Sequence, residues 1–169
     1  GDFLMLYLGL ELATIPMAAL AAYTHHQERS AEAGIKLILS SALSSGILLF
    51  GLSLIYGSTG SIYFDTVGQL YANTPMQVLA FIFFFTGMGF KISLVPFHLW
   101  TADVYEGSPV NVTSYFSVIS KGASVFILIM VMFTVFHSIA FLWKDIVYLI
   151  AITTMVIGNL FALRQKNMK

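Results

Sequence analysis

Glu11, Lys36, Lys91 and Lys121 stand in otherwise apolar stretches of this 169-residue chain, and His98 follows Lys91 by seven residues. If those stretches cross a bilayer, a charge at mid-depth costs at least about 2.5–3.5 kcal/mol, so each group requires a partner, a watery cavity or a change of protonation. Burial favours the neutral form of each group, whereas attraction between a carboxylate and an ammonium favours the charged forms. A lysine balanced between these terms can take up a proton at one stage and release it at another, with the glutamate charge setting which stage applies. That is the requirement of a proton relay. A static ion pair fixing helix packing is the structural alternative, and desolvation largely cancels the stabilisation such a pair offers.

The elements that position these residues are legible from where charge is missing. Residues 12–27, 37–64, 66–90, 122–143 and 146–163 carry no Asp, Glu, Lys or Arg. Apolar runs near ~20 residues read as membrane helices. We place five spans at about 3–23, 34–56, 78–100, 112–136 and 143–163, and expect an all-α, polytopic membrane fold forming a single transmembrane unit over residues 1–169. Glu11, Lys91 and Lys121 then fall within about three residues, roughly 5 Å, of their span centres. Lys36 lies about one turn inside its span and can snorkel to the surface, so anchoring and proton transfer both remain open for it. The third span contains Pro96, which removes a backbone hydrogen bond and breaks or kinks the helix. Broken backbone at membrane depth is tolerated where it lines a protein interior or a cavity, and ion sites are built there. His98 lies just past that break, with a side chain suited to relaying protons near neutral pH or, alternatively, to bonding a carbonyl across a helix interface. Between the second and third spans, residues 62–71 read as a short interfacial helix, and the other connections read as polar loops.

Composition excludes several classes. Apolar residues make up 58% and charged residues 9%, with 8 basic against 8 acidic side chains, so no basic field exists for nucleic acid. The absence of Cys removes disulfides, thiolate metal sites and iron–sulfur ligation. Serines 40, 41, 44 and 45 with Gly46, Gly87 and Gly89 beside Lys91, and Gly122 beside Lys121, permit close helix approach. The segments after the first, third and fifth spans hold Arg29, Arg164, Lys166 and Lys169, against Lys144 alone on the opposite side, which places those three segments in the cytoplasm. With Gly1 at its start and a helix running almost to its last residue, the chain reads as a piece of a longer polytopic protein.

The stretch GFKISLVPFHLWTADVYEGSPVNVTSYFSVISK at 89–121, preceded by LYLGLELATIP at 6–16, resembles the antiporter-like membrane subunits of respiratory NADH:quinone oxidoreductase, complex I, in their subunit N branch. That family is related to Mrp-type cation/proton antiporters, and the resemblance covers essentially the whole chain. It implies one five-helix half of an inverted-repeat fold, in a bacterial inner membrane. The implied function is proton translocation coupled to quinone reduction elsewhere in the complex. Glu11 would take the family's glutamate and Lys91 the lysine of the broken helix. Lys121 would be the central lysine of the next helix, His98 the histidine of the PFH motif, and Lys36 a lysine found in the family's following helix. NADH, FMN, iron–sulfur clusters and quinone would belong to other subunits, leaving no cofactor or metal in this chain. Its partners would be other membrane subunits, the bilayer and protons. Ala102 and SPVNV depart from the family's usual pattern at the cytoplasmic loop. An Mrp-type Na⁺/H⁺ antiporter subunit and a purely structural bundle are the competing readings.

Overall fold

The computed structural model describes residues 1–24 and 26–164. Eight α-helices run as α1 (Phe3–Ala21), α2 (Glu28–Thr59), α3 (Phe64–Leu70), α4 (Pro75–Ile92), α5 (Leu99–Gly107), α6 (Val110–Tyr115), α7 (Lys121–Thr134) and α8 (Ala140–Arg164). A π-helical turn, Phe116–Ser120, joins α6 to α7, and a 3₁₀ turn, Phe136–Ile139, joins α7 to α8. Among the described residues, five stretches are long and apolar enough to cross a membrane: Phe3–Ala21, Glu28–Thr59, Pro75–Ile92, Val110–Thr134 and Phe136–Arg164. The chain is a multi-pass membrane protein.

Local chemistry sets the helix ends. The Asp2 carboxylate accepts from the Met5 amide at 2.8 Å and caps α1. Thr74 and Gln77 form a reciprocal capping box at the start of α4, with Pro75 in its first turn. The second span, expected over 34–56, instead starts at Glu28 and ends at Thr59. At about 1.5 Å per residue, its 32 residues reach beyond a hydrocarbon core of about 30 Å. The added turns carry Glu28, Arg29 and Glu32, and an i,i+4 pair from Glu32 to Lys36 at 2.6 Å supports helix in a polar setting that an apolar-run reading passes over. The interfacial helix expected over 62–71 is α3, and part of the expected third loop is α5.

Two contacts sort the connections by side. Arg29 meets Glu106 at 3.1 Å, so the α1–α2 connection and α5 share one end. At the other end the Phe3 amide donates to Ile62 O at 3.0 Å, and the Tyr71 and Phe136 rings meet edge to face at 5.1 Å. The main core lies toward that second end, where Phe3, Phe64, Phe81, Phe84 and Phe136 interlock. Trp143 is buried there and donates its indole N–H to Phe136 O at 2.9 Å.

Lipid tails are as apolar as these side chains, so close packing rather than expulsion from water holds the helices together. The longest close-packed crossing is α2 on α4. A Cβ on Gly51 would stand 2.7 Å from the Phe84 nitrogen, and one on Gly87 would stand 2.7 Å from Leu48 Cβ and 3.0 Å from Leu48 Cα. This crossing fixes α4, and with it Lys91, against the bundle.

Candidate functional site

Pro96 cannot donate to Ile92 O, and its ring would collide with that carbonyl in a continuous helix. The expected third span, 78–100, accordingly stops at Ile92, and the chain resumes as α5 at Leu99. Ser93 turns the backbone into the left-handed region at φ 64, which disfavours a non-glycine residue by about 1–2 kcal/mol. Its amide donates to Phe90 O at 3.2 Å and the Leu94 amide to Gly89 O at 2.9 Å, satisfying two terminal carbonyls. Thr101 donates to Ser93 Oγ at 2.6 Å, Trp100 Nε1 to Phe90 O at 3.1 Å, and the Val95 amide to Thr154 Oγ1 at 3.2 Å. The opened backbone is thereby satisfied within the protein, and Lys91 occupies the last turn before it.

Lys91 Nζ reaches across to α1 and donates to Thr14 Oγ1 at 2.5 Å. Thr14, only 7% exposed, donates its own hydroxyl hydrogen to Leu10 O at 2.6 Å. Glu11 precedes Thr14 by three residues, so both side chains lie on neighbouring parts of one helix face, about 5–6 Å apart at Cβ. The Glu11 carboxylate accepts from the Ser45 hydroxyl of α2. Among the described residues, the ion pairs within 4.0 Å are Arg29–Glu106, Lys36–Glu32 and Lys36–Asp103, so Glu11 and Lys91 act on each other without a contact bridge. Charges at such separations in a protein interior still interact appreciably.

Lys121 begins α7 immediately after the π-helical turn, a local widening of the helix that is frequent at functional sites. Its Nζ lies 5.0 Å from the centroid of the Tyr105 ring, a cation–π contact. The Tyr105 hydroxyl is buried without a hydrogen-bond partner, and burial pushes the phenol up to about 12, so the ring presented to Lys121 is neutral. A cavity of about 370 Å³ separates α1 from the α6–α7 segment, and Thr14, Ser120 and Ser124 all line it.

The other two sequence candidates lie elsewhere. His98 stands at the N-cap position of α5 without a side-chain cap, its ring stacks on Phe161 at 5.6 Å, and both ring nitrogens are buried without partners. Lys36 bonds Asp103 and Glu32, each at 2.6 Å, beside the Arg29–Glu106 pair around a cavity of about 200 Å³. These are solvent-exposed contacts that water and salt screen, so they stabilise the fold little. The structure thus brings Glu11 and Lys91 together, sets Lys121 over the Tyr105 ring, and leaves Lys36 in a surface cluster. Among the described residues, no group of three His, Asp or Glu side chains could hold a metal ion.

All 169 residues match the family described as NADH:quinone oxidoreductase/Mrp antiporter, TM. The chain belongs to this family. It is 55% identical to NADH-quinone oxidoreductase subunit N of Azobacteroides pseudotrichonymphae, over 99% of this chain and 35% of that protein. It is 53% identical to the subunit of the same name from Phocaeicola vulgatus, over 100% of this chain and 36% of that protein. The chain therefore spans about a third of the length of the curated relatives it matches. Among solved structures, a chain of respiratory complex I from Thermus thermophilus superposes with a TM-score of 0.78 at 32% identity, covering 98% of this chain and 35% of that one. An archaeal membrane-bound sulfane sulfur reductase matches with a TM-score of 0.67 at 27% identity, over 75% of this chain and 26% of that one.

For this NADH:quinone oxidoreductase/Mrp antiporter chain, three site residues escape a reading by charge. Ser45 is one of a run of small residues suited to packing, and Thr14 carries no charge, although a hydroxyl one turn beyond Glu11 is a usable signal. Tyr105 stands in a polar connection between spans, and its proximity to Lys121 is purely tertiary.

Proposed function

We propose that this chain is a proton-translocating part of a membrane subunit of NADH:quinone oxidoreductase, moving protons while redox chemistry proceeds in other subunits. The observation that carries this reading is the placement of Lys91 at the break of α4, held by a hydroxyl and facing the Glu11 charge without a contact bridge. Protons enter from the cytoplasmic side, where Arg29 and Arg164 lie; Lys166 and Lys169, which support the same orientation, fall outside the described residues, as does His25. Lys91 takes up a proton while Glu11 is charged, and a change in the Glu11 charge releases it toward Lys121. His98, beside the break, exchanges protons with that path directly or through water, and Lys36 holds the entry surface through Asp103 and Glu32. NADH, flavin, iron–sulfur clusters and quinone act in partner subunits.

The family's name also covers antiporters, and the two functions part on one measurement. In inverted membrane vesicles carrying the complete complex, proton uptake proceeds in sodium-free medium and stops when NADH oxidation stops. Sodium-dependent proton exchange without NADH oxidation would contradict the proposal and support the Na⁺/H⁺ antiporter.

A further inference from the structure

Glu11 and Lys91 are each held by a hydroxyl from a different helix. Ser45 of α2 takes the Glu11 carboxylate, and Thr14 of α1 takes the Lys91 ammonium at 2.5 Å. Thr14 has one hydrogen, and it is committed to Leu10 O at 2.6 Å, a back-bond that threonine commonly makes inside helices. That commitment leaves the oxygen lone pairs facing Lys91, so the hydroxyl acts there as an acceptor. Thr14 is 7% exposed, and an ammonium deprived of its hydroxyl acceptor at such a site is less well satisfied.

We propose that Thr14 is a positioning residue for proton transfer: its hydroxyl holds the Lys91 ammonium one helical turn away from the Glu11 carboxylate. A direct, desolvated contact would bind the two charges in a geometry from which the proton is hard to release. With Thr14 in between, Glu11 acts through its field while the Lys91 proton stays exchangeable. Thr14 acts here as an acceptor and not as a proton carrier, its own hydrogen being directed at the Leu10 carbonyl. This inference rests on the reading of Lys91 as a proton carrier.

The test compares Thr14→Val, Thr14→Ser and Lys91→Ala in the complete complex, reading the initial rate of proton uptake into inverted vesicles per assembled complex. Valine keeps the volume and β-branching of threonine but loses the acceptor; serine loses the methyl group but keeps it. Loss of a hydrogen bond to a charged group changes an equilibrium by roughly tenfold or more, so Thr14→Val is expected to slow uptake about tenfold and Thr14→Ser to stay within about twofold of the parent. A packing role predicts the reverse order, with valine tolerated and serine impaired, and that result would overturn the inference. Should the valine chain fail to assemble, Thr14→Ala takes its place with the same expected loss. Normal uptake by Thr14→Val alongside failure of Lys91→Ala sinks the role of Thr14 alone. Normal uptake by Lys91→Ala sinks the carrier reading and the inference with it.

Discussion

Lys91→Ala lowers NADH-driven proton uptake by roughly tenfold or more while the complex still assembles. The size follows from the site: Lys91 is the cation bonded to Thr14 in the last turn of α4, and alanine removes both the charge and the exchangeable proton there. Assembly survives because the break is closed by other groups, namely Ser93, Thr101, Trp100 and Thr154. Lys91→Arg separates proton carriage from charge alone. An arginine keeps the positive charge but does not give up its proton, so proton carriage predicts that it fails as alanine does. If the site only transmits an electrostatic signal, arginine restores uptake. Initial uptake rates for both variants, normalised to complex content, decide between these outcomes.

A second large effect is structural. Gly87→Leu forces a side chain into the space held by Leu48, where even a Cβ would stand 3.0 Å from its backbone Cα. Overpacking typically destabilises by about 1–3 kcal/mol and more where backbone is the obstacle. Because α2 on α4 is the crossing that carries Lys91, the expected result is a several-fold loss of assembled complex and earlier thermal inactivation in detergent. Gly46→Ala on the same α2 is the control: its Cβ meets nothing within 4 Å, so its yield and inactivation temperature should match the parent's.

The five spans are legible because runs of apolar residues between isolated charges leave few other folds open. Their ends are less so. Pro96 signals a break, yet the proline acts through the carbonyl four residues upstream, so α4 stops at Ile92 and not near 100. The start of α2 at Glu28 was hidden because a charged, solvated turn looks like a loop to a hydropathy reading. The π-helical turn before Lys121 leaves no mark in residue types, since it is a choice of backbone register made by packing. In the site, Glu11, Lys91 and Lys121 stand out because charge is rare in apolar runs. Ser45 and Thr14 do not, because a helix hydroxyl is common and its partner is decided only when α1, α2 and α4 assemble. Lys36 shows the same limit: Asp103, one of its two carboxylate partners, lies 67 residues away.

The most direct test of proton passage through this chain is Lys121→Ala in the full-length protein within its complex, reading protons taken up into inverted vesicles per NADH oxidised, with assembly checked on the same preparation. The proposed path from Lys91 toward the lysine beside Tyr105 predicts a lower ratio with assembly intact. An unchanged ratio would contradict it, leaving Lys121 as a packing residue against the Tyr105 ring.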